Sequence, residues 1–151
     1  MRCRLREVRG LTRRDAREAA FIALFQIDVG RAAMEPAIQA ATRGKRIDDR
    51  SLEYLRKTVS GVIEYRADID RTISRLAIGW SLDRMGAVDR NLLRLAVYEI
   101  LHLDDVPVGV AINEAVALAK KFGDEESAKF INGILGRLAR EMAANPDDTR
   151  E

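Results

Sequence analysis

Three arginines and two phenylalanines early in the chain have the types and spacing to contact nucleic acid. Arg13, Arg14 and Arg17 precede Phe21 and Phe25 in the stretch TRRDAREAAFIALFQIDV. Guanidinium groups pair with phosphate, and aromatic or guanidinium planes stack on unpaired bases, so the combination suits single-stranded nucleic acid. Lys120, Lys121 and Lys129 make a second basic group around the start of the last apolar stretch. If folding joins the two groups, one basic groove results; otherwise these lysines are ordinary surface residues.

Catalytic chemistry finds little footing. The sequence has no phosphate loop, no dinucleotide glycine fingerprint, no CxxC and no HExxH. Cys3 is the only cysteine and His102 the only histidine, so no internal disulfide forms and no nucleophile–base pair is close in sequence. His102 lacks companions for a metal site and suits the C-terminal end of a helix. The carboxylate pairs Asp104–Asp105 and Glu125–Glu126 fall at connections or helix starts, where capping accounts for them. A binding protein with no catalysis, metal or cofactor is the expectation.

Charge distribution says more than total charge. The net charge is only +2, but seven arginines up to Arg17 face only Glu7 and Asp15, which puts +5 there and leaves −3 for the remainder. A basic arm on a mildly acidic body is the asymmetry of a nucleic-acid contact. The 151 residues, 47% hydrophobic and 33% charged, suit one soluble globular domain. No apolar run of about 18 residues suggests a membrane span, and the arginine-rich start lacks the apolar region of a signal peptide. A cytoplasmic protein is expected.

Helices must position these groups. Thr12 can cap the first helix, with Asp15 completing a capping box. At about 100° per residue, Ala16, Ala20, Leu24 and Ile27 make one apolar stripe, with Arg14, Arg17, Phe21 and Phe25 beside it. Pro36 suits the first turn of a short helix over 33–42. Leu52, Leu55, Val59, Val62 and Ile63, then Ile69, Ile73, Leu76 and Ala77, give a long segment that Gly61 bends or splits. Trp80 is expected to close a core, its N–H finding a carbonyl. Residues 88–103 are apolar nearly all round and should be central. Helices over 111–122 and 127–142 follow, and Gly133 and Gly136 in the last one point to close approach of another backbone, either within the fold or at a partner. The reading is all-α, a compact bundle of about six or seven helices: residues 1–11 a mobile basic arm, 12–142 the helical domain, 143–151 a frayed tail.

VDRNLLRLAVYEIL at 88–101, DVPVGVAINEAVALAKKFG at 105–123 and ESAKFINGILGRLA at 126–139 closely resemble the bacterial antitermination factor family NusB. So do RRDAREAAFIALFQ at 13–26 and the GWSLDRMGAVDR run at 79–90. The resemblance covers nearly everything from Arg13 to about Arg140, and the AINEAV and KFINGIL blocks are specific in order and spacing.

The resemblance implies two packed helical subdomains that bind the boxA element of ribosomal RNA operon leaders. It implies NusE, also a protein of the small ribosomal subunit, as partner, and entry of the pair into RNA polymerase antitermination complexes. The family's arginine-rich motif falls on Arg13, Arg14 and Arg17; Asp15 interrupts it, which shifts weight to Arg9 or the arm. The aromatic near the end of the first helix falls on Phe25. Asp89 takes the acidic position at the start of the central helix, and Asp83 lies in the segment that faces NusE. Glu126 and Lys129 border the RNA path. Gly136 replaces an acid common in the family. Some members dimerise through the RNA surface, so a homodimer is a further partner. NusB-like domains also precede rRNA methyltransferase domains, but these 151 residues hold no methyl-donor fold.

Overall fold

Thr12 opens the first helix with a reciprocal cap. Its hydroxyl accepts from the Asp15 amide at 3.1 Å, and the Asp15 carboxylate accepts from the Thr12 amide at 3.1 Å. The computed structural model describes residues 12–144. The arm expected over 1–11, and residues 145–151 of the expected tail, lie outside the described residues. From the cap, α1 runs Arg13–Val29, α2 Met34–Thr42, α3 Asp49–Glu64 and α4 Arg66–Leu76. A short 3-10 turn, Leu82–Arg84, precedes α5 Ala87–His102, α6 Val108–Phe122 and α7 Glu125–Ala144. No strand occurs among the described residues, so the fold is all-α as expected. No helix among them is long and apolar enough to cross a membrane.

Packing divides the chain into two units, residues 1–60 and 61–151, with the division inside α3. In the first unit α1 packs on α2. Alanines dominate the contact faces, Ala16, Ala19, Ala20 and Ala23 on α1 and Ala37 and Ala41 on α2, and small side chains let helices approach closely. An Arg56–Glu35 ion pair links α3 to α2. Asp48 caps α3 by accepting from the Ser51 amide at 2.8 Å. That backbone hydrogen bond holds the Asp48 carboxyl below the usual carboxylate range.

The second unit is built around α5. Every residue from Asn91 to Ile100 is buried, and α4, α6 and α7 all pack on this helix. The near-continuous apolar run required such enclosure, but three polar residues are enclosed with it. Asn91 donates to the Ala87 carbonyl at 2.9 Å. Arg94, 5% exposed, donates from Nε and Nη2 to the two carboxylate oxygens of Asp70 at 2.8 and 3.0 Å. Glu99 is 1% exposed. Arg137 on α7 donates to the Leu76 carbonyl at 2.8 Å and so closes the last turn of α4.

Three local expectations change. The long segment divides at Tyr65, not Gly61; a Cβ on Gly61 would sit 2.4 Å from the Tyr98 ring, so that glycine is there for close packing. His102 does more than meet a helix end: its ring stacks on Tyr65 at 4.3 Å and on Tyr98 at 5.2 Å. Burial, followed by the neighbouring Tyr65 and Glu64 charges, pushes the Tyr98 hydroxyl above its ordinary value. Among the described residues no backbone of the fold approaches Gly133 or Gly136, which removes the first of the two alternatives: a Cβ on Gly133 would meet open space, and one on Gly136 only the Arg140 guanidinium at 3.5 Å.

Two glycines therefore respond oppositely to alanine. Gly61→Ala forces the Tyr98 ring to move and destabilises by about 1–3 kcal/mol, whereas Gly133→Ala stabilises by up to about 1 kcal/mol; urea unfolding midpoints of the two variants measure both. The Asp48 cap adds a pH dependence. Its folded pKa is depressed, so its contribution is complete above about pH 4 and lost as pH falls through the folded value. Asp48→Asn keeps a capping oxygen but cannot titrate, so its thermal midpoint falls less between about pH 5 and pH 2 than that of the parent.

Candidate nucleic-acid interface

The capping box turns α1 so that Arg13 and Arg14 stand exposed in its first turn. The Arg13 guanidinium lies 4.4 Å from the centroid of the Tyr54 ring on α3, and that of Arg17 lies 5.9 Å from the same ring. A tyrosine face attracts cations, and a planar guanidinium stacks on it well. Tyr54 thus organises two of the three expected arginines within the first unit. The aliphatic periodicity of α3 does not reveal it, because Ser51, Tyr54 and Thr58 are polar or aromatic members of the same buried stripe.

Two expected contact residues are instead interior. Arg17 is 3% exposed and Phe21 2% exposed. The buried arc of α1 is wider than a four-residue aliphatic stripe and takes in both positions. Neither side chain presents a face to solvent, and Arg17 meets the exposed arginine group of Arg13 and Arg14 at the Tyr54 ring. Phe25 is half-buried, its ring 6.2 Å from that of Phe21 at 59°, and is the α1 aromatic that keeps surface. Arg9 lies outside the described residues.

The second unit carries the other group. Lys120 and Lys121 are exposed in the last turn of α6, and Lys121 Nζ lies 5.5 Å from the Phe122 ring. Gly123 ends α6, and Asp124 starts α7 by accepting from the Ser127 amide at 2.8 Å. Glu126 and Lys129 are exposed on the first turns of α7. Lysines at a helix C-terminus and acids at an N-terminus also complement the helix dipoles, so Lys120, Lys121 and Glu126 have a local structural reason as well, whereas Lys129 near the start of α7 has none of this kind. The α1 arginines and these lysines belong to different units.

Trp80 departs from its expected core position. It is 53% exposed and packs edge-to-face on Phe130 of α7, centroids 5.8 Å apart at 71°. The two rings wall a cavity of about 310 Å³ with Arg84, Asp89, Asp124 and Glu126. Arg90 shapes its rim by donating from Nη1 to the carbonyls of Leu82 and Met85, each at 3.1 Å. Asp89, in the first turn of α5, has a buried Oδ1 without a hydrogen-bond partner among the described residues. Asp83 is exposed on the 3-10 turn.

Comparison with known proteins agrees with this architecture. The family described as "NusB family" matches residues 14–140. A transcription antitermination protein NusB from Heliobacterium modesticaldum is 50% identical over 134 residues, covering 87% of this chain; the chain spans 64% of that relative's length. Among solved structures, T. maritima NusB superposes with a TM-score of 0.81 at 42% identity, covering 88% of this chain and 94% of that one. A structure described as antitermination factors NusB and NusE in complex with dsRNA superposes with a TM-score of 0.78 at 32% identity, covering 85% of this chain and 96% of that one. With its helices, its AINEAV and KFINGIL blocks and residues 14–140 all matching, the chain belongs to the NusB family.

Proposed function

We propose that this chain is a transcription antitermination factor. It binds the boxA element of rRNA operon leader transcripts together with NusE, and the pair joins the RNA polymerase antitermination complex in the cytoplasm. The observation that carries this reading is the family match over residues 14–140. It is supported by the structural likeness to a NusB described with NusE and RNA.

The chemistry is binding, not catalysis. Arg13 and Arg14, with Arg9 from the arm, neutralise phosphates and give a salt-dependent affinity. Tyr54 holds the Arg13 side chain in place beforehand, which lowers the entropy cost of engagement. Lys120, Lys121 and Lys129 supply phosphate contacts from the second unit, with Glu126 at the edge of the path. Phe25, Asp83 and Asp89 meet NusE. A homodimer that covers the arginines would compete with RNA, and sedimentation with and without boxA RNA separates the two states.

Fluorescence anisotropy with a labelled boxA leader tests the arginine contacts. The double variant Arg13→Ala and Arg14→Ala should weaken binding and flatten the log–log salt dependence by about 1.4, two single-strand phosphate contacts at about 0.7 each. An unaltered slope removes α1 from the interface. Scrambling boxA should abolish the advantage of the specific leader. Adding NusE should tighten RNA binding by the same factor by which RNA tightens NusE binding, since the linkage is reciprocal.

A further inference from the structure

The exposed cations of the α2–α3 connection have no role inside the fold. Arg43, Lys45, Arg46 and Arg50 fall within eight residues, with Asp48 and Asp49 among them. All four cations are exposed, and the first three make no ion pair or side-chain hydrogen bond among the described residues. Arg43 follows the last turn of α2, where a cation complements the helix dipole, but that effect fades within a turn and does not account for Lys45 or Arg46. Gly44 stands in the left-handed region at φ 73°, and the Lys45 amide donates to the Thr42 carbonyl at 3.0 Å. A defined turn, not an open tether, therefore carries these cations. The two acids have other work. Asp48 accepts from the Ser51 amide as the α3 cap, and Asp49 complements the dipole in the first turn of the same helix.

We infer that this connection continues the phosphate track of Arg13 and Arg14 and holds RNA that flanks boxA. The inference rests on the RNA-binding reading and lengthens its footprint within the first unit. Continuity comes from Tyr54. Arg50 precedes it by one turn on the same face of α3, about 6 Å along the axis. Arg13 stacks on the Tyr54 ring at 4.4 Å, so the first turn of α1 meets α3 beside the helix start that the basic connection feeds. The cations thus run from α1 across the start of α3 into the turn at Gly44. Their chemistry selects the guest. Unpaired cations with no exposed aromatic face among them bind repeated phosphates and read no base. A folded acidic protein would need an apolar anchor at the centre of its contact, and the connection offers none: Ile47 is its only large apolar side chain and is half-buried.

The test uses the full chain, alone and with NusE, and three labelled RNAs: a boxA core, and that core with about six uridines added on its 5′ or its 3′ side. One of the two extensions should raise affinity. The triple variant Arg43→Gln, Lys45→Gln and Arg46→Gln should bind the core as the parent does and lose that gain. Its log–log salt slope on the extended RNA should be lower by about 2, three single-strand phosphate contacts at about 0.7 each, so the parent's advantage shrinks about twentyfold between 50 and 200 mM salt. The thermal midpoint should not move, because these side chains have no partner in the fold to lose. Lys45→Glu alone should weaken the extended RNA selectively. A parent that gains nothing from either extension overturns the inference, as does a gain that the triple variant keeps, or a loss equal on core and extended RNA. A triple variant that loses NusE binding without RNA, and keeps the flank gain, overturns it in favour of a protein contact. A parent that holds an extended RNA of scrambled core as tightly as boxA sinks the boxA reading and leaves the phosphate track standing. Failure of every RNA to bind overturns both.

Discussion

Arg94 can lie in the core of the second unit because Asp70 meets it with both carboxylate oxygens. A buried guanidinium without such a partner would cost several kcal/mol. That pair fixes how α4 lies against α5, and α5 is the element around which α4, α6 and α7 gather. Its enclosure from Asn91 to Ile100 leaves only its two ends for other work. One end carries Asp89 into the Trp80 cavity. The other carries His102 between two tyrosine rings, one of which occupies the space that Gly61 leaves vacant.

The first unit solves a different problem. An amphipathic helix that begins with arginines must bury an arc of its surface without losing all its cations. Alanine-rich contacts with α2 bury that arc at small volume, and the Thr12–Asp15 box sets where the arc begins. One arginine falls inside it. Tyr54 offers Arg17 a π-face as one of its contacts, and the same ring meets Arg13 at the surface. The expected arginine triplet is thus a layered arrangement, with two exposed groups over one interior group.

Much of the fold was legible in the sequence because periodic apolar positions and caps are local signals. Thr12–Asp15, the end of the helix at residue 122 and the dense apolar run of α5 all fall where the pattern placed them. The site was legible only in part, because its geometry depends on partners distant in sequence. Nothing local connects Arg17 with Tyr54, or Trp80 with Phe130. The departures share a cause: a stripe drawn through aliphatic residues misses polar or aromatic side chains that are buried with them. Ser51, Thr58 and Arg17 are interior, while Ile63 at 43% and Trp80 at 53% exposure are not. Gly61 carried a true signal, but of a neighbouring ring and not of a bend.

The interior position of Arg17 makes charge alone an insufficient description of its place in the chain. Lysine would carry the same unit of charge on a tetrahedral, strongly hydrated head that cannot lie flat on an aromatic face and resists leaving water. Its ammonium would be driven to snorkel outward. The buried position of Arg17 near the Tyr54 ring thus discriminates between the two common cations by shape and hydration. Arginine content, and not merely basicity, is therefore the property that this part of the surface must keep.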